Sequence, residues 1–153
     1  MTTADCPELE RFVRVEIDPA TFPHREHVRM AFEMLKRHDF PETVLHFSRT
    51  LRAMAVKVGR PEAFHQTVTI AFLSLIAERM EGSGAADFAA FAQANPDLLE
   101  KSALERWYRP ERLASAAARR TFLLPDAALH GTHLPGQPPS PATLPSAQQT
   151  EAE

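Results

Sequence analysis

Cysteine and long apolar runs are scarce in this sequence. Cys6 is the one cysteine among 153 residues, and a single thiol cannot form a disulfide within the chain, which favours a reducing compartment. The first residues lack the basic and apolar regions of a signal peptide. The longest strongly apolar stretch, residues 70–77, is interrupted by Ser74 and is too short to span a bilayer. These absences predict a cytoplasmic protein with no membrane partner.

Glycine motifs and excess charge are scarce as well. The chain has five glycines and no glycine-rich phosphate loop, Gly-x-Ser-x-Gly or Cys-x-x-Cys motif, which argues against the enzyme classes that those motifs mark. The net charge of −3 and the interspersed charges give no general attraction to nucleic acid. The sequence therefore predicts no nucleic-acid partner, leaves a small-molecule ligand possible and does not predict the oligomeric state.

Helical periodicity and proline positions dominate the rest of the chain. Prolines stand at the predicted starts of several helices, where their missing N–H group is not needed, and glycine follows two of them as a stop signal. The pattern predicts an all-α domain of about five to six helices, at residues 23–38, 41–58, 61–81, 85–94, 96–107 and 110–122. The third of these is apolar nearly all round, which is typical of a buried central helix.

Two terminal segments differ from this helical region. In residues 1–21, Val13, Val15 and Ile17 alternate with charged residues, so an extended arm and a short helix from Pro7 with an extended lead-in both fit. Residues 125–153 are rich in proline and poor in large apolar side chains, which predicts a disordered tail. The predicted organisation is an N-terminal arm at 1–21, a helical domain at 22–124 and the tail at 125–153.

Histidines on the core-facing side of the first predicted helix are the strongest functional signal. A helix turns by about 100° per residue, which places His24, His27 and His38 on one face. His65 stands near the start of the buried third helix. Because a catalytic zinc is commonly held by three protein ligands and a water, we predict that His24, His27 and His65 bind zinc or iron(II). His38 lies too far along the helix to share that ion.

Three further side chains are candidates for catalysis. Thr69 lies one turn beyond His65 and could hydrogen-bond its ring or a bound water. Glu78 is predicted to be buried in the third helix, where it would be either a general base or the partner of an arginine. Tyr108 could form part of a pocket wall, although aromatic residues at a helix end often only pack.

Other interpretations of these residues remain open. The histidines could be structural, since His-x-x-His alone is a weak motif. Glu62 and His65 form a Glu-x-x-His unit like those of di-iron bundles, but the chain supplies no second unit. The second predicted helix is basic enough to be considered as a DNA-recognition helix.

Two segments carry a resemblance to a known group of proteins. The sequences FPHREHV at 22–28 and FHQTVT at 64–69 resemble the pattern of small uncharacterised bacterial all-helical proteins, F-x-H-x-x-H followed by F/Y-H-x-T-x-T. The segments WY at 107–108 and RRTF at 119–122 fit it too. The resemblance covers residues 20–124, and because the group has no established activity it implies the residue pattern only. Helical metal proteins of the DinB type use three histidines in a different order and spacing.

The sequence therefore favours a small-molecule enzyme with a histidine-bound metal, with hydrolysis or hydration as the expected reaction. The alternative is a non-catalytic helical binding or interaction protein. Metal content of the purified protein separates the two.

Overall fold

The structure is a computed structural model that describes residues 6–126. Within that part of the chain it has seven α-helices and four short 3-10 helices and no strand, so the all-α prediction is confirmed. The predicted tail lies almost entirely outside the described residues. The α-helices are α1 (Pro7–Val13), α2 (His24–Leu35), α3 (Phe40–Lys57), α4 (Gln66–Ser83), α5 (Phe88–Ala94), α6 (Pro110–Ala114) and α7 (Ala116–Arg120). The 3-10 helices span Pro19–Thr21, Pro61–Ala63, Pro96–Leu99 and Lys101–Arg106.

Helix α1 belongs to the folded domain. Its Leu9 and Phe12 are buried, and the Phe12 ring lies 5.5 Å from that of Phe22 and 5.2 Å from that of Phe47, centroid to centroid. Of the two alternatives for this segment, the short helix from Pro7 is the one observed. The structure therefore places residues 6–21 with the helical domain rather than in a separate arm.

Helix α2 is buried on more than the one face expected from its pattern. Val28, Ala31 and Met34 are buried as predicted, and so are Met30 and Phe32. Helix α5 covers Phe32, whose ring centroid lies 5.8 Å from that of Phe88 and 5.0 Å from that of Phe91. The helix ends at Leu35. His38 therefore follows the helix, is exposed and pairs with Glu42 at 3.3 Å, so its predicted place on the buried face is wrong.

Helix α3 begins and ends close to the predicted residues. The Asp39 side chain accepts a hydrogen bond from the Glu42 N–H at 2.8 Å, which satisfies one of the unpaired donors of the first turn. At the other end Gly59 has φ +71°, a conformation that glycine adopts without steric cost. The predicted stop at this glycine is confirmed.

Helix α4 is the central element, since it contacts α2, α3, α5 and α7. It starts later than predicted, because Pro61–Ala63 forms a 3-10 turn and the next two residues are extended. His65 is therefore the N-cap of α4 rather than a residue within it. As the N-cap, the His65 ring can accept a hydrogen bond from a backbone N–H in the first turn of α4.

The segment after α5 is more irregular than the sequence suggested. The predicted helix at 96–107 is two 3-10 helices. The predicted helix at 110–122 is broken at Ser115, whose hydroxyl caps α7 by accepting from the Ala118 N–H at 3.1 Å. Within residues 6–126, no helix is long and apolar enough to cross a membrane.

Two groups of buried side chains result. The main core lies among α1, α2, α3, α5 and one side of α4 and includes Phe12, Phe32, Phe91 and Leu98. A smaller second cluster consists of Ala71 and Phe72 of α4 together with Ala103, Leu104 and Tyr108. The candidate site lies where α2, α3 and α4 meet.

Candidate functional site

A cavity of about 580 Å³ opens between α2, α3 and α4. Most of its wall is apolar, and its polar side chains are the three histidines predicted to form a site, one threonine and one lysine. The wall is formed by Pro19, Phe22, Pro23, His24, His27, Val28, Ala31, Phe47, Leu51, Met54, Ala55, Val58, Ala63, Phe64, His65, Val68, Thr69, Phe72, Leu73, Ile76 and Lys101. His24, His27 and His65, which are predicted to share one pocket, all line this cavity.

His24 is the first residue of α2 and is partly buried. Its Nε2 lies 3.0 Å from the Leu98 carbonyl oxygen. A carbonyl can only accept, so this nitrogen carries the hydrogen. The ring also meets Phe72 edge-on, with centroids 4.9 Å apart. Burial lowers the pKa of His24, the Leu98 carbonyl opposes that shift, and the Lys101 charge adds to it.

His27 lies one turn further along α2. Its ring packs on Phe22 with centroids 4.7 Å apart. Burial, reinforced by the nearby His24, lowers the pKa of His27 to about 4, while a hydrogen bond to the Phe22 carbonyl opposes the shift. The imidazole is therefore neutral at pH 7.

His65 uses both ring nitrogens in holding the fold. Nδ1 accepts from the Val68 N–H at 3.2 Å, and Nε2 lies 2.7 Å from the Leu113 carbonyl oxygen, to which it donates. A single tautomer satisfies both contacts. Thr69 donates its hydroxyl hydrogen to the His65 carbonyl at 2.8 Å, so its predicted bond to the imidazole ring is not the one formed.

A three-histidine metal site would need a change in this arrangement. The described residues include no group of three or more His, Cys, Asp or Glu side chains arranged to hold a metal ion. His24 and His27 share a cavity wall, but a bound metal would require a free ring nitrogen on His65, so its bond to the Val68 N–H or its bond to the Leu113 carbonyl would have to break. The three-ligand site therefore does not fit the side chains as placed, and metal binding stays a prediction.

Glu78 and Tyr108 lie away from the cavity. Glu78 is exposed, so the expectation that it is a buried carboxylate is wrong. Tyr108 is 1% exposed within the second cluster, where its hydroxyl donates to the Leu123 carbonyl at 2.9 Å. Burial raises the pKa of Tyr108. Its contacts are those of a packing residue, which the sequence had offered as the alternative.

Lys101 is the cavity residue that sequence reasoning missed. It opens the 3-10 helix Lys101–Arg106 and is exposed, which places its charge at the rim. It lies 74 residues beyond His27 in a segment predicted as ordinary helix, and no local pattern signals the approach. Lysines outside the cavity also reach distant parts of the chain, since Lys36 and Lys57 donate hydrogen bonds to the Ala86 and Val15 carbonyls. A lysine near a loop therefore does not by itself indicate a functional site.

Comparison with protein-family models, with curated proteins and with solved structures gave no match. The resemblance to small bacterial helical proteins stays a prediction, and the function has to be argued from the cavity.

Proposed function

We propose that this protein binds a small, largely apolar molecule in the cavity between α2, α3 and α4. The observation that carries the proposal is the cavity itself, at about 580 Å³. Small-molecule sites are typically concave and mostly apolar, with a few polar groups that fix the orientation of the ligand. Here His24, His27 and Thr69 are those groups.

The cavity wall has few charged groups, which favours an uncharged ligand. The pKa values of His24 and His27 are both lowered, so the α2 side of the wall is neutral at pH 7. Lys101 is the one lysine among the lining residues, which include no arginine, aspartate or glutamate, and it is exposed at the rim. Burying an ionised group deep in such a wall would cost much of its hydration free energy without repayment.

A neutral dye tests the proposal directly. N-phenyl-1-naphthylamine should bind to the wild-type protein with a saturable rise in fluorescence. Leu51→Trp should weaken dye binding because Leu51 lines the cavity on α3, and the larger ring would narrow it. Leu45→Trp is the matched control, since Leu45 lies on the same helix and is 46% exposed. Equal dye binding by the two variants would contradict the proposal.

A metal-dependent hydrolase or hydratase is the second candidate, and the shared cavity wall of His24 and His27 is what favours it. Zinc or iron(II) would supply an activated water there. Elemental analysis of untagged protein would then find about one metal per chain, and His65→Ala would lose it. Metal far below that ratio in the wild type would remove this candidate and leave the binding proposal in place.

A further inference from the structure

The side-chain hydrogen atoms of the three histidines and the threonine in the cavity wall are already used. His24 donates to the Leu98 carbonyl at 3.0 Å, and His65 donates to the Leu113 carbonyl at 2.7 Å. Thr69 donates to the His65 carbonyl at 2.8 Å, and a backbone hydrogen bond to Phe22 is among the interactions that shift the pKa of His27. In each case the partner is a carbonyl oxygen, which has no hydrogen to give.

What these side chains still offer is lone pairs. A neutral imidazole has one N–H donor and one acceptor nitrogen, so His24 and His27 each keep one acceptor after donating to the backbone. The Thr69 hydroxyl oxygen can accept as well. His65 keeps nothing, because its second nitrogen accepts from the Val68 N–H at 3.2 Å.

We infer that the cavity selects neutral apolar molecules whose polar group donates a hydrogen bond, that is, alcohols or phenols. The inference rests on the proposed binding function and adds the chemical class of the ligand. A ligand hydroxyl can donate to the free nitrogen of His24 or His27. An ether, a ketone or a carboxylate presents only lone pairs to the same atoms, and an unpaired buried acceptor is costly.

Lys101 is the side chain that would favour a different class of ligand, a carboxylate. Its ammonium group can donate to a carboxylate, but it lies at the exposed rim, where water also solvates it. A carboxylate bound there would leave the histidine nitrogens without a donor. Carboxylate binding is therefore a distinct outcome that the experiment has to include.

Three ligands of nearly equal shape separate these cases in the wild-type protein at pH 7. The ligands are 2-naphthol, 2-methoxynaphthalene and 2-naphthoate, which present a donor, a neutral acceptor and an anion on the same ring system. Titration calorimetry should show 2-naphthol binding at least about tenfold more tightly than the ether, because a site built to pair with a hydroxyl rejects the analogue that lacks it.

Two variants locate the selectivity. His27→Phe should lower the affinity ratio of 2-naphthol to 2-methoxynaphthalene, since it removes one of the acceptors and keeps an aromatic ring beside Phe22. His46→Phe should leave the ratio unchanged, because His46 lies outside the cavity wall. The wild-type comparison needs neither variant, so it holds even if one of them fails to fold.

The opposite results would overturn the inference. Equal or tighter binding of the ether or of 2-naphthoate would show that the cavity does not select donors. Failure of all three ligands in protein that still binds N-phenyl-1-naphthylamine would also overturn it and leave the proposed binding function standing. Loss of the dye as well would overturn both.

Discussion

The main core and the second cluster are held together in different ways. The main core is a continuous group of apolar side chains from α1 to α5, together with Phe22 and with Leu98 of the 3-10 helix Pro96–Leu99. The second cluster is small, and the chain around it is held to α4 by hydrogen bonds from buried side chains to the backbone. Thr67 donates to the Thr121 carbonyl at 2.7 Å and accepts from the Leu123 N–H at 3.1 Å, and Tyr108 donates to the Leu123 carbonyl.

This difference predicts which kind of substitution destabilises each region. Apolar packing loses stability in proportion to the volume removed. A hydrogen-bonded attachment loses stability when one polar atom is removed, even if the volume is unchanged. The two regions should therefore respond to different substitutions.

The largest expected effect is loss of an aromatic ring from the main core. Phe12→Ala should cost about 3–5 kcal/mol in the free energy of unfolding, because Phe12 is fully buried and packs on Phe22 and Phe47. Urea denaturation measures it. Val13→Ala, at a neighbour that is 42% exposed, should change stability by less than about 0.5 kcal/mol. Similar small losses of stability in both variants would show that α1 does not contribute to the core.

Low pH should destabilise the folded protein through protonation of His27 in the cavity wall. Its pKa falls to about 4 in the folded protein, against about 6.5 for an unperturbed histidine, so the unfolded chain binds the proton first. The stabilisation is complete above about pH 6.5 and is lost as the pH falls toward 4, by at most about 3 kcal/mol. His24 and Lys101 oppose protonation, and Glu26 favours it.

Unfolding measured at pH 7 and pH 4.5 checks this effect. The stability of the wild type should fall between the two values, and His27→Phe should reduce the fall because the titrating group is gone. His46→Phe provides the comparison at a histidine outside the cavity. An unchanged pH dependence in His27→Phe would show that other groups dominate acid unfolding.

A pair of threonines gives the smallest and most specific effect. Thr67 and Thr43 are both fully buried, but Thr67 makes two hydrogen bonds, whereas the Thr43 hydroxyl has no partner among the described residues. Thr67→Val should cost about 1–3 kcal/mol, and Thr43→Val should be neutral or stabilising. Faster hydrogen exchange at the Leu123 amide should accompany only the first.

The result that would contradict the comparison is equal behaviour of the two threonine variants. If Thr67→Val left both stability and Leu123 exchange unchanged, the segment around 121–123 would be held by packing rather than by hydrogen bonds.

Helix periodicity predicted the parts of the fold that are amphipathic. Helices α2 and α3 have one clear apolar stripe, and their existence and approximate ends followed from it. Helix α4 is apolar nearly all round, so its sequence pattern does not indicate which side of the helix faces solvent. That is why Glu78 was assigned to the inside although it is exposed.

Parts of the site depended on contacts that no local pattern contains. The sharing of one wall by His24 and His27 follows from their spacing on a helix. The role of His65 does not, because N-caps are usually Ser, Thr, Asp or Asn, and its second partner is Leu113. The approach of Lys101 to His24 likewise depends on how the segment after α5 folds back.

The two bonds of the His65 ring also have a consequence for the order of folding. The ring caps the first turn of α4 and at the same time donates to a carbonyl 48 residues later in the chain. During synthesis the N-terminal part of a chain can begin to fold before the rest is made. The cap needs only residues 65–68, whereas the bond to Leu113 can form only after residue 113 has left the ribosome, so the two bonds of the same ring would form at different stages of synthesis.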